Sequence, residues 1–293
     1  MKDFLKQNQW LVYPLHVMPI GVIVLFSWLL LSDATTFFGL GDIKTPPHKV
    51  SSTSEVTVKR PVPPPVSKPL ETYLKVTDGC GIHYAGTCAT AHSGPGTKFP
   101  VVAQLRNDIV LKVGGTEVRD GRTWYRVLFD EGLRYPERVK SSWYVAAAAV
   151  SLFTTEGENT ALISDATSTK KIVVNRTKQT LIAYDGDTVF MSTKVSTGLL
   201  LTPTPRGIFT IFKKTPTRYM QGPIPEAHLS QYYDLPGVPW NLYFTEQGAV
   251  IHGAYWHDDF GKPHSHGCVN LSPAEAERLY YWADVGVPVV IEG

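Results

Sequence analysis

Five residues able to move protons or attack a carbonyl crowd one short segment: His252, His257, His264, His266 and Cys268, with Asp258 and Asp259 between them. Three chemistries suit a cysteine in such company: zinc ligation, a disulfide, or nucleophilic attack. Zinc accepts His and Cys, but the segment holds neither H-E-x-x-H nor C-x-x-C, and a fourth ligand has to be supplied from elsewhere. The chain has three cysteines, so at least one thiol stays unpaired. Cys80 and Cys88 flank the short loop GIHYAGT, and in an oxidising compartment such a pair reads as a disulfide, which leaves Cys268 over. A nucleophilic thiol needs a base within hydrogen-bond reach and donors for the oxyanion. His252 at a strand end and Cys268 in a glycine-flanked turn are able to meet those needs. A nearby imidazole is expected to lower the thiol pKa toward a thiolate–imidazolium pair.

The elements that must hold these groups are mainly strands. From Lys170 onward KIVVN, TLIAY, TVFMSTKV, GIFTIF, WNLYF, GAVIH and VPVVIE alternate or run apolar between turn signals such as Asp185-Gly186-Asp187. One helix start stands out: Ser272-Pro273-Ala274-Glu275 is a capping box with proline at the first helical position. Residues 213–239 show no regular pattern and read as a long connection able to cover a site. His257, Asp258, Asp259 and His264 are expected on the site's rim.

The segment IHGAYWHDDFGKPHSHGCVNLSP resembles the catalytic stretch of YkuD-type L,D-transpeptidases, in which a His-Gly precedes a Ser/Thr-His-Gly-Cys by a spacer. TGLLLTPTPRGIFTI and YDLPGVPW match upstream features of the same family, so the resemblance covers residues 170–293. It implies a β-sandwich-like catalytic domain acting on peptidoglycan stem peptides without a cofactor or metal. Cys268 is the implied nucleophile and His252 the proton carrier, with the Gly253 carbonyl fixing the imidazole tautomer. Backbone N–H groups at Gly267 and Cys268 are the implied oxyanion donors, with His266 shaping the thiol's turn. Ser265 and Asn270 are expected to brace the loop. Tyr219, Met220, Tyr232, Tyr233 and Trp240 are the candidates for substrate contact.

The rest of the chain places this domain. Residues 11–31 are apolar, are preceded by Lys2 and Lys6, and are long enough to cross a bilayer as a helix. A cleaved signal is the alternative, and either one exports the remainder of the chain, so residues 1–40 are assigned to an anchor or signal at the bacterial membrane. Residues 41–72, with PVPPPV, form a semi-rigid linker. Residues 73–150 alternate short apolar runs with turns, and SGPGT, VVAQL and GRTWYRV resemble bacterial SH3-like domains, a small barrel that Trp124 is expected to fill and that implies binding of wall peptides. Residues 151–169 are polar and read as a second linker.

The expected protein is therefore mostly β: a small SH3-like barrel, then a β-sandwich-like catalytic domain with one clear helix, in the cell envelope outside the cytoplasmic membrane. A formal net charge of +2 gives no reason to invoke a nucleic acid. Transfer of the acyl group to an amine and hydrolysis by the same Cys/His pair, as an L,D-carboxypeptidase or cross-link hydrolase, stay open, as does a binding protein with an inert C-terminal domain.

Overall fold

The computed structural model describes residues 68–129, 133–160, 168–223 and 232–293, which lie in one compact unit. The apolar 11–31 segment and nearly all of the proline-rich linker fall outside the described residues. Among those described, no helix is long and apolar enough to cross a membrane.

The N-terminal part is a seven-stranded antiparallel sheet made of β1 (Glu71–Val76), β2 (Ala89–His92), β3 (Val101–Leu105), β4 (Val110–Arg119), β5 (Arg122–Leu128), β6 (Tyr144–Ala146) and β7 (Val150–Thr155). Their order is β3-β2-β6-β5-β4-β1-β7. Trp124 is 2% exposed, and its indole meets His92 edge-on at 5.5 Å. Cys80 and Cys88 are joined by a disulfide, and Cys268 is the free cysteine. The expected linker over 151–169 begins instead as a strand. β7 pairs with β1 along its whole length, and beyond it the Asn159 and Lys214 backbones exchange two hydrogen bonds of 2.8 Å. The polar side chains that suggested a linker sit on the exposed face of an edge strand, where alternation gives a weak signal.

The C-terminal part stacks two sheets. β8 (Lys170–Asn175), β9 (Thr180–Asp185), β10 (Thr188–Lys194), β11 (Gly207–Thr210) and β16 (Pro288–Glu292) form one, ordered β10-β9-β8-β16-β11. β12 (Lys213–Pro223), β13 (Tyr232–Tyr243), β14 (Val250–Gly253) and β15 (Val269–Leu271) form the other, in sequence order. The core between them joins Ile172, Val174, Leu181 and Val289 to Leu242, Ile251, Val269 and Leu271. The single α-helix among the described residues, α1 (Pro273–Trp282), adds Ala276, Leu279 and Tyr280 to that core. Its cap is the expected one: the Glu275 N–H donates to Ser272 Oγ at 3.4 Å.

The expected irregular connection over 213–239 is instead a long hairpin of β12 and β13. Prolines disguise it. The ladder passes from Thr215↔Asn241 directly to Thr217↔Pro239, and its register shifts between Arg218 and Met220. This hairpin also ties the two parts together. The Thr217 hydroxyl donates to the Val110 carbonyl, and Tyr219 packs against Phe129 and Trp143. Lys75 adds an ion pair with Glu277 of α1 at 3.1 Å.

Candidate active site

β14 and β15 run parallel, with Ile251 opposite Val269, His252 opposite Asn270 and Gly253 opposite Leu271. Cys268 immediately precedes β15, so its thiol sits at the start of this pair, beside the strand that carries His252. The thiol is hydrogen-bonded by the Val250 backbone and lies 3.8 Å from the Gly248 carbonyl.

His252 is 1% exposed, and its Nδ1 lies 3.0 Å from the Gly253 carbonyl oxygen. A carbonyl only accepts, so Nδ1 carries the proton and Nε2 keeps its lone pair. Burial pulls the His252 pKa down to about 4, partly offset by that hydrogen bond, while the Arg218 charge lowers it further. Burial also pushes the Cys268 thiol up, against the opposing pull of Arg218 and of the Val250 hydrogen bond. The resting pair is thus a neutral thiol and a neutral imidazole. The expected thiolate–imidazolium pair is not favoured at rest, because burial disfavours both charged forms.

The turn before Cys268 is held from two sides. Ser265 Oγ donates to the Cys268 carbonyl at 2.6 Å and accepts the Gly267 N–H at 3.2 Å. From the other side, Thr204 Oγ1 donates to the same carbonyl at 3.1 Å and accepts the Gly198 N–H at 2.9 Å. Gly198 allows this close approach, since a Cβ there would lie 2.1 Å from the Thr202 carbonyl oxygen. Gly267 has φ +117°, a backbone that side-chain-bearing residues rarely adopt. Backbone hydrogen bonds from the 196–199 strip to Ser265 and Asn270 complete the clamp.

The remaining site candidates separate. His266 is exposed and stacks parallel to the Tyr233 ring at 6.0 Å, while Ser265 and Thr204 brace the turn through the Cys268 carbonyl. Burial raises the Tyr233 phenol's pKa, with Cys268 adding to the rise and Arg218 opposing it. Trp240, expected to touch substrate, is 1% exposed and wedged against Phe153 and Tyr280 in the core. Its left-handed backbone (φ 62°) turns the indole into the core. Tyr219 and Met220 pack onto the N-terminal sheet, and Tyr232 lies against Tyr135 and under Arg138. All three thus make their contacts with apolar or cationic neighbours on the first part.

His257 was expected at the rim and is buried instead. Its Nε2 accepts from the Asn270 side-chain amide at 3.0 Å, and its ring stacks on exposed His264 at 4.1 Å. Asp258 and Asp259 are exposed. Among the described residues, no group of three or more His, Cys, Asp or Glu is placed to hold a metal ion. Sequence reasoning passed over Thr204 and Arg218. For Thr204 the TPTP run was the available signal.

A buried imidazole with a fixed tautomer, one strand from an unpaired thiol in a glycine turn, has the chemical parts that acyl transfer through a thiol requires. Residues 169–291 match the YkuD family, the L,D-transpeptidase catalytic domain. Solved structures similar to this chain include L,D-transpeptidases of two organisms. A mutant of the Enterococcus faecium enzyme is 24% identical over 42% of this chain and 49% of its own, with a TM-score of 0.38. The isolated catalytic domain of an E. faecium L,D-transpeptidase is 25% identical over 42% of this chain and 95% of its own, with a TM-score of 0.37. A Mycobacterium smegmatis L,D-transpeptidase is 20% identical over 77% of this chain and 100% of its own, with a TM-score of 0.40. The chain spans about half the length of the first of these, at 49%. No curated protein matches the sequence. Within the matched residues 169–291 lie Cys268, His252 and every residue of the clamp around the thiol.

Proposed function

We propose that this chain is a peptidoglycan L,D-transpeptidase that forms cross-links through a Cys268 acyl-enzyme. The observation that carries the proposal is His252, whose Nδ1–H is held by the Gly253 carbonyl while its bare Nε2 is left for proton transfer beside the strand that follows Cys268. The family match over 169–291 supplies the substrate class.

In this reading the thiol attacks the carbonyl between the L-centre of a diamino acid and the following D-alanine. His252 Nε2 takes the thiol proton as the carbon–sulfur bond forms, because the resting pair is neutral. The Cys268 N–H, joined by the Gly267 N–H released from Ser265, faces the oxyanion. His252 then gives its proton to the departing D-alanine amine as the carbon–nitrogen bond breaks. An amine of a second stem next attacks the thioester, with His252 again as base, and the thiolate leaves and is reprotonated. No cofactor or metal takes part.

The first part of the chain serves this site in the same proposal. Residues 11–31 hold the protein at the membrane, residues 41–72 space it from the bilayer, and residues 73–150 form an SH3-like unit that docks on wall peptides. Support for that unit is the antiparallel sheet around buried Trp124.

The test is incubation of the purified chain with tetrapeptide muropeptides, followed by mass spectrometry. Cross-linked dimers that have lost D-alanine are the expected product. Tripeptide monomers alone would assign the site to hydrolysis. Cys268→Ala and His252→Ala should each cost at least about 10³-fold in rate, and unchanged products from Cys268→Ala would sink the nucleophile.

A further inference from the structure

Arg218 is a half-buried cation without a described counter-charge. It lies on β12 opposite Val238, and its guanidinium carbon sits 5.3 Å from the centroid of the Tyr243 ring. Its Nη1 is buried without a hydrogen-bond partner, and no carboxylate among the described residues forms an ion pair with it. Such a group is costly: a buried guanidinium N–H left unpaired forfeits the hydration it would have in water. Proteins keep such arrangements where a ligand completes them.

Its position says which ligand. Tyr243 is the cross-strand partner of Val250, whose backbone hydrogen-bonds the Cys268 thiol. Arg218 is thus linked to the thiol through Tyr243 and Val250, and its charge acts to lower the pKa of Cys268, of His252 and of Tyr233. A planar guanidinium with free donors matches a carboxylate better than any neutral group. In the L,D-transpeptidase reading, the donor stem carries one carboxylate fixed close to the reacting carbon. It is that of the terminal D-alanine, two bonds beyond the nitrogen that leaves.

We infer that Arg218 receives the carboxylate of the leaving D-alanine, so that the site selects stems that end one residue past the bond it cuts. The inference rests on the L,D-transpeptidase reading. It makes Arg218 a specificity-determining residue: a stem extended by a further D-alanine carries its charge one residue too far, and an amidated stem carries none. Bound carboxylate also neutralises Arg218 near His252, which eases formation of the imidazolium that must protonate the departing amine.

The experiment compares a tetrapeptide muropeptide with the same molecule bearing a C-terminal carboxamide, using the purified full chain and Arg218→Gln. Wild type is expected to favour the free acid over the amide by about 10- to 100-fold in kcat/KM, chiefly through KM. Arg218→Gln should lose that preference, its loss on the acid exceeding its loss on the amide by about tenfold or more. Arg218→Lys should restore part of the preference, because it keeps the charge and loses the fork. Equal losses on both substrates, or a wild type indifferent to amidation, would overturn the role of Arg218 while leaving the acyl-enzyme intact. Absence of a Cys268 thioester with either substrate in wild type would overturn the functional reading, and this inference with it. Turnover of the amide by Arg218→Gln serves as the check that the variant is folded.

Discussion

The side-chain amide of Asn270 donates to Nε2 of His257 at 3.0 Å, one strand over from the His252 imidazole and wholly inside the protein. His257 is a second neutral histidine in the domain, and burial together with the neighbouring His264 and His252 draws its pKa down to about 3.

Two histidines with depressed folded pKa values make stability depend on pH. Below the ordinary value of 6.5 the unfolded chain takes up protons that folded His252 (about 4) and His257 (about 3) refuse. Stability is therefore full above about pH 6.5 and falls as pH drops toward those folded values, by about 2 kcal/mol per histidine at pH 5. Urea denaturation at pH 7 and pH 5 measures this. His257→Gln, which retains an amide partner for Asn270, should remove roughly half of the difference.

The neutral resting pair predicts how the thiol reacts without substrate. Alkylation of Cys268 by iodoacetamide should stay slow through neutral pH and climb only in the alkaline range above that of an ordinary exposed thiol, because burial pushes the Cys268 thiol up. A plateau near pH 6 to 7 would instead report a preformed ion pair and contradict the burial argument.

The clamp around the turn predicts a graded series. Thr204→Val strands the Gly198 N–H and removes one of two hydroxyls on the Cys268 carbonyl. It should cost about 1–3 kcal/mol of stability and lower kcat more than it raises KM. Gly198→Ala forces a Cβ against backbone atoms and should cost about 2–3 kcal/mol. Thermal melts beside steady-state kinetics separate the two effects.

The disulfide predicts a thiol count. Native protein should take up one alkylating group, on Cys268, and reduced, denatured protein three. Replacing both Cys80 and Cys88 by serine should cost about 2–3 kcal/mol, the value expected for a loop this short.

Sequence patterns carried much of this structure where one physical rule acts alone. The strands VVAQL and TWYRV, the Ser272 cap, and the placing of His252 at a strand end and Cys268 in a glycine turn each follow from periodicity, capping or residue type. Reading failed where tertiary contact decides. Pro216, Pro236 and Pro239 mask the β12–β13 ladder, whose stability comes from packing on the N-terminal sheet. His257 looks like a surface histidine until Asn270, two residues past Cys268, is seen to hold it inside. Arg218 has no signal in sequence at all, because its meaning lies in the partners it lacks.

The parallel register of β14 and β15 has a consequence for how such a site diversifies. In a hairpin, the turn's length dictates which residues face each other. Here the thiol and imidazole are set by sheet pairing, while the chain between them leaves the sheet and returns, with Asp258, Asp259, Lys262 and Pro263 exposed along the way. That excursion can lengthen, shorten or acquire new recognition residues without changing the spacing of the thiol and the imidazole. Chemistry and selectivity are thereby free to evolve on separate stretches of one short segment.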